Sequence, residues 1–303
     1  MRTGMPLTLK RVTVDGSAVA EPKNVIVPVG TPIREVIAFC GGYKEEPKKI
    51  LMGGPMMGKV LLKQEDIDAA VVTKTTGNII VLPRDHYLFH RATLPMEAIR
   101  HQTRSACIQC RMCTDLCPRY LIGHRIRPNL VMRNLWREPG IEDNEEYERC
   151  FGDAMNCCDC GVCEMFACPM GLSPRKVNQY NANGQLRARG HPGAPEHGAP
   201  RPRAFVDQRH TPTDRLVARL GLSEYYGRHA HECRELDPGE VFLPFSQHIG
   251  KPANVVKAVG DYVERGEVLA QAAEGLSANI HASISGVVVE ITDQGARISS
   301  RKE

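Results

Sequence analysis

The chain is 303 residues long and 42% hydrophobic but only 5% aromatic, which suits two or three modest cores better than one large one. Its formal charge of +4 counts twelve cysteines as neutral thiols. If many of them are ionised on bound metal, the balance falls toward zero, so the basic pI of 8.4 gives no ground for nucleic-acid binding.

No apolar run approaches the roughly 20 residues of a membrane helix, and "MRTGMPLTLKR" at the start has no signal-peptide stretch. A cytoplasmic protein without a membrane span is predicted, with its cysteines reduced and available to metal rather than paired in disulfides.

In chain order, "RVTV" and "NVIVPVG" within residues 9–30 predict two strands, by alternation and β-branched content. A helix follows in "TPIREVIAFCGG", with Thr31 as cap, Pro32 in the first turn and Gly41 as stop. "KKILMGGPMMGKVL" reads as strand, glycine turn and strand, and "AVVTKTTGNIIVLP" as two more strands about Gly77 and Asn78. Together these predict a small α+β domain over residues 6–84. "TLPMEAIRHQTRS" is a short helix leading into the first cysteine run, and "DNEEYERCFGDAMN" a helix opening with acids, as its dipole favours.

After the second cysteine run, Ser173 and Pro174 open another helix. "RARGHPGAPEHGAPRPR" has no apolar period and predicts a flexible linker, placed at 184–212. Residues 213–303 begin with a short helix and continue as short strands with glycine turns, a small barrel or sandwich.

The chemistry lies in two runs: Cys107-x2-Cys110-x2-Cys113-x3-Cys117-Pro118 and Cys157-x2-Cys160-x2-Cys163-x4-Cys168-Pro169. Three cysteines at x2 spacing let one tight loop offer three thiolates to one cubane, while the fourth, before proline, serves the other cluster in two-cluster ferredoxins. The expected ligand sets are therefore crossed: Cys107, Cys110, Cys113 and Cys168 for cluster one, and Cys157, Cys160, Cys163 and Cys117 for cluster two. Structural zinc, which pairs cysteines two and two, fits less well. Cys158 falls between ligand positions and is expected to be a bystander. Ile108, Met112, Val162, Met165 and Phe166 are expected to enclose the clusters and exclude water.

Residues 100–137 hold eight arginines against Asp115 alone, and residues 138–168 nine acids against Arg149. Either cluster one has the higher potential, drawing electrons from two to one, or these charges are merely solvated helix faces.

Read with their flanks, "SACIQCRMCTDLCPRYLIGHRIRP" and "CCDCGVCEMFACPMGLSPRKVNQ" resemble the cobalamin reductase family of propanediol-utilisation microcompartments, which is related to the RnfC component of the Rnf electron-transport complex. "VPVGTPIREVIAFCGG" and "ILMGGPMMGKV" are similar to the SLBB β-grasp domain of both, and "LPFSQHIGKPANVVKAVGDYVERGEVLA" to their barrel-sandwich hybrid module. The barrel lies at the C-terminus here, as in the cobalamin reductases. The fold class implied is α+β multidomain: β-grasp (6–84), helical two-cluster ferredoxin-like domain (90–183), linker, and barrel-sandwich hybrid (213–303).

The resemblance also implies an FMN- and NADH-binding unit ahead of the β-grasp domain. This chain begins almost at that domain, and no GxGxxG loop follows a strand, so a fragment or a separate flavin polypeptide is expected. The implied role is relay of single electrons from the flavin/NADH unit through two [4Fe–4S] clusters to cobalamin cobalt. An adenosyltransferase or a microcompartment shell protein are the implied partners, inside a bacterial microcompartment. The alternative is an RnfC-like or other ferredoxin-type docking component with a different acceptor, and no residue of the chain is assigned as catalytic.

Smaller signals are read conservatively. "HAHEC" (His229 to Cys233) is a solvated loop, Cys40 is core packing, Cys150 is packing or a spare thiol, and the methionines of "GGPMMG" line a core or a ligand site. The barrel lacks a lysine before "IHASISG", with Ser277 and Asn279 there instead, and is read as structural or docking.

Overall fold

A computed structural model describes residues 4–44, 49–191, 199–227 and 233–300. Packing divides the chain into two units, one of residues 1–54, 58–86 and 227–303, the other of residues 55–57 and 87–226.

The first unit begins with a mixed six-stranded sheet of order β4-β3-β5-β1-β2-β6. Its strands are β1 (Leu9–Asp15), β2 (Lys23–Pro28), β3 (Lys49–Met52), β4 (Lys59–Leu61), β5 (Asn78–Leu82) and β6 (Cys233–Glu235). Alternation places Val12 and Val14 of β1, Val25 and Val27 of β2, and Ile79 and Val81 of β5 in one core, against Ile33, Val36 and Ile37 of α1 (Ile33–Phe39). Cys40 is buried in that core.

Three details differ from the sequence reading. Pro32, not Thr31, precedes α1, and the Thr31 hydroxyl donates instead to the Pro28 carbonyl at 2.7 Å. "AVVTKTTGNIIVLP" yields one strand, β5, because Val71 forms only an isolated bridge with Pro32 and the threonines between close on one another. Helix α2 (Gln64–Ala69) was not expected, since among "QEDIDA" only Ile67 is buried.

The C-terminal strands form two further sheets. β7 (Glu240–Pro244), β9 (Tyr262–Val263), β12 (Gly286–Ile291) and β13 (Gly295–Ser299) make one, in the order β7-β13-β12-β9. β8 (Asn254–Val255), β10 (Val268–Gln271) and β11 (Ile280–His281) make the other. Val241, Leu243, Val263, Leu269, Ile280, Val288 and Ile298 fill the core between them.

This sandwich and the β-grasp sheet belong to one unit because the backbone joins them. β6 pairs in parallel with β2, Phe242 N–H donates to Gly30 O at 2.9 Å, and the Ser283 hydroxyl donates to Val29 O. Of the expected "HAHEC" loop, residues 229–232 lie outside the described residues, and Cys233 opens β6.

The second unit is helical: α3 (Tyr87–Thr93), α4 (Met96–Ala106), α5 (Met112–Asp115), α6 (Pro118–Leu121), α7 (Pro128–Asn134), α8 (Asn144–Phe151), α9 (Pro174–Gln179), α10 (Leu186–Ala188) and α11 (Thr213–Arg219). Asp143 caps α8, accepting from Glu146 N–H at 2.8 Å. Its core gathers Ile99, Val131, Leu135, Tyr147, Cys150, Phe151, Val177 and Leu186, so Cys150 is packing.

The short helix α11, read with the barrel, packs in this unit instead, its Arg219 donating to Cys168 O at 2.7 Å. Part of the expected linker is also fastened here. Arg203 N–H donates to Leu121 O at 2.7 Å, and Gly123 (φ +107°) lies against the Arg201 backbone where a Cβ would stand 2.2 Å from its carbonyl oxygen. Residues 192–198 of that stretch lie outside the described residues.

Candidate iron–sulfur centre

Helix α4 ends at Ala106 and delivers Cys107; Cys110 follows in the loop and Cys113 sits on α5. These three thiols and Cys168 line one cavity with Ile108, Met132 and Leu172. The electrostatic environment of Cys113 records the same company: burial and then the thiols of Cys168, Cys107 and Cys110 push it up to about 12.

The other four cysteines form a second group. Burial pushes Cys117 up to about 11, opposed by N–H donors of Tyr120 and Arg119, with Cys160 and Cys157 as its thiol neighbours. Cys163 is raised well above the usual thiol range by burial, then by Cys157, Cys117 and the Glu164 carboxylate. Each triplet thus meets the fourth cysteine of the opposite run.

Both loops share one backbone device. Gln109 (φ 56°) and Arg111 (φ 68°) flank Cys110, and Asp159 (φ 60°) and Gly161 (φ 79°) flank Cys160, all left-handed. Three of these four are not glycine, at a cost of roughly 1–2 kcal/mol each, the kind of strain that functional sites hold. The turns bring N–H groups to sulfur: Asp159 N–H lies 3.4 Å from Cys157 Sγ, and Leu172 N–H 3.3 Å from Cys168 Sγ. Gln109 Nε2 is 3.1 Å from Cys107 Sγ.

Cys117 and Cys168 adopt nearly the same backbone angles, −71°/119° and −76°/111°, each held by the proline that follows. Gly161 is pinned by space as well as φ, since a Cβ would lie 3.1 Å from Met56 O. Arg175 bridges the same carbonyl (2.7 Å) and Asp159 (2.5 Å).

Buried thiols with raised pKa values stay protonated unless a metal charge compensates them. Among the described residues no three His, Cys, Asp or Glu side chains come together as a grip for one metal ion. Four thiols around a shared cavity, with N–H donors aimed at sulfur, suit a multi-atom core. Of the residues expected to enclose the clusters, Ile108 lines the cavity although it is mostly exposed, Met112 is exposed, and Met165 is buried.

The sequence reading missed Arg91 and Glu164, a buried pair at 3.2 Å. The one sign of them was the extra residue between Cys163 and Cys168. That residue is taken up as a π-turn, Cys163–Ala167, which carries Glu164 inward.

Residues 11–60 match the SLBB domain, residues 106–173 the 4Fe-4S dicluster domain, and residues 229–302 the RnfC barrel sandwich hybrid domain. The cobalamin reductase PduS of Salmonella typhimurium is 38% identical over 97% of this chain, and that of Citrobacter freundii 36% over 97%. The chain resembles the cobalamin reductases along almost its whole length.

It spans 62% of the length of each of these relatives. The C component of the ion-translocating oxidoreductase complex of Methanosarcina acetivorans is 41% identical over 123 residues, 41% of this chain and 24% of that protein. The order SLBB, dicluster, barrel-sandwich hybrid is the one drawn from the sequence. With its dicluster domain and these relatives, the chain has an iron–sulfur electron-transfer role. Among the described residues no helix is long and apolar enough to cross a membrane.

Proposed function

We propose that the chain is the iron–sulfur relay of a cobalamin reductase. Cys107, Cys110, Cys113 and Cys168 hold one [4Fe–4S] cluster, and Cys117, Cys157, Cys160 and Cys163 the other. The observation that carries this reading is the crossed grouping of the eight thiols, with each Cys-Pro cysteine beside the opposite triplet. Bound there, the clusters supply one-electron storage. The protein's own part is to hold thiolates at two sites joined through the short segment Cys163–Cys168, to donate N–H groups to sulfur, and to keep water from the inner faces with Met132, Met165 and Leu172.

Electrons would enter from a flavin- and NADH-binding unit outside this chain and leave to the cobalt of cobalamin. The relatives' name supports that acceptor, and an adenosyltransferase and a microcompartment shell protein are the companions such a role suggests, within a bacterial microcompartment. The likeness to the C component of ion-translocating complexes favours a second reading, the same relay serving another acceptor.

Iron and sulfide analysis with EPR on the anaerobic protein should give about eight irons per chain. The photoreduced protein should then pass electrons to cob(III)alamin or cob(II)alamin. Intact clusters without cobalt reduction would turn the reading to the second acceptor class.

A further inference from the structure

Glu164 and Arg91 are 2% and 4% exposed. Glu164 directly follows Cys163, and its second oxygen accepts the Lys176 N–H at 3.2 Å. Arg91 donates to Gly171 O at 2.7 Å, to Leu172 O at 2.9 Å and to Ser173 Oγ at 3.3 Å. Leu172 in turn donates to Cys168 Sγ. The pair therefore has a direction: its negative end adjoins Cys163 and its positive end grips the loop behind Cys168.

A buried ion pair is weak evidence of stability, because desolvation offsets its attraction. A fixed charge beside a metal site, by contrast, alters its potential directly. Of the other charges close by, Asp159 is paired with Arg175, the Lys176 ammonium is held on the carbonyls of Arg91 and Ala92 and keeps its charge, and the Arg219 guanidinium donates to Cys168 O at 2.7 Å, which reinforces the positive end.

We propose that the Arg91–Glu164 pair makes the two thiol sites electrically unequal, disfavouring an extra electron on the Cys163 side and favouring it on the Cys168 side. Electrons then run from the Cys157 loop toward the Cys107 loop, one at a time and with no proton transfer required. The proposal rests on the two-cluster reading above, and Arg91 and Glu164 act in it as positioning residues for charge rather than as ligands.

The test is an EPR-monitored potentiometric titration of the anaerobically reconstituted full chain. Wild type, Glu164→Gln, Glu164→Asp and the double variant Arg91→Met with Glu164→Leu are compared, with signals assigned to sites through Cys110→Ala and Cys160→Ala. Glu164→Gln is expected to ease reduction on the Cys163 side about tenfold, a rise of ~59 mV, and to move the other midpoint less. Glu164→Asp keeps the charge and should keep the wild-type separation.

The double variant replaces the pair by apolar side chains, a change buried pairs tolerate, and should bring the two midpoints together; it decides alone if Glu164→Gln does not load iron. Equal movement of both midpoints, or an unchanged separation in the double variant, overturns the proposal. Wild-type iron well below two clusters would overturn the reading beneath it, and that is known before any titration begins.

Discussion

Cys157 and Cys158 are adjacent, yet the backbone gives them different surroundings. Asp159 turns left-handed and returns its N–H to Cys157 Sγ, and Asn178 Nδ2 approaches the same sulfur at 3.8 Å, while Cys158 is exposed. Replacing Cys158 by Ala is expected to leave iron and sulfide per chain unchanged. Cys157→Ala should remove about half of the iron, because one site keeps only three thiols. Equal iron loss in the two variants would contradict that division.

The x2 spacing alone favours Cys157 over Cys158, and the exposure of Cys158 agrees with that expectation. Spacing did not reveal that Gln109, Arg111 and Asp159 would take left-handed conformations, since none is the glycine such positions favour. That strain is set by the thiols converging from several elements and has no local signal.

At the level of elements, the two runs differ by one residue, and the difference has a shape. In the first run Cys113 to Cys117 is spanned by the end of an ordinary helical turn; in the second, Cys163–Ala167 widens into a π-turn. One residue rotates a helix by about 100°, so the extra position decides what faces inward. Deleting Phe166, which restores the three-residue gap, is expected to swing Cys168 away from Cys113 and to cost the cluster built on Cys107. The Cys157 site should remain, a loss visible as about half the iron and one EPR signal fewer. Full iron after this deletion would mean that the π-turn has no part in placing Cys168.

Strands β1 and β2 were legible because their apolar alternation is regular, and α1 because Ile33, Val36 and Ile37 share one face. Helix α2, with a single buried residue, and β6, with none, lack any such pattern; their existence depends on neighbours distant in sequence.

Across the whole molecule, the segregated charges of the sequence meet in space. Arg100 pairs with Glu138 at 2.7 Å, Arg125 and Arg127 with Asp153 at 3.0 and 2.6 Å, and Arg137 with Glu146 at 2.5 Å. Four of the eight arginines of that stretch are thus answered by the acidic one, Arg125 and Arg127 sharing a single carboxylate, so the charge contrast read along the sequence is reduced in the fold. Separation of charge along a chain says nothing of its separation in the fold, which is why charge counting along the sequence does not carry an inference about potential.

The thiols set a pH dependence for the metal-free protein. Burial raises Cys117 to about 11 and Cys113 to about 12, whereas unfolded thiols ionise near ~8.5. The fold favours the neutral form, so this contribution to stability is fully present below about pH 8.5 and is lost as pH rises through those two values. Thermal unfolding of chelator-treated protein across that range should show a falling midpoint. The loaded protein holds thiolates, so it should instead lose metal toward acid pH.

The strand β6 has a consequence in time. It completes the sheet beside β2, with Cys233 opposite Asn24, although the whole helical unit is synthesised between them. At ribosomal rates the nascent β1–β5 segment waits roughly 10–30 s for this last partner. By the end of that wait every cysteine of both runs has been synthesised. The order of synthesis thus lets iron reach its ligands while the first unit is still unfinished, and leaves the β2 edge open to chaperones or to misplaced strands until residue 235 emerges.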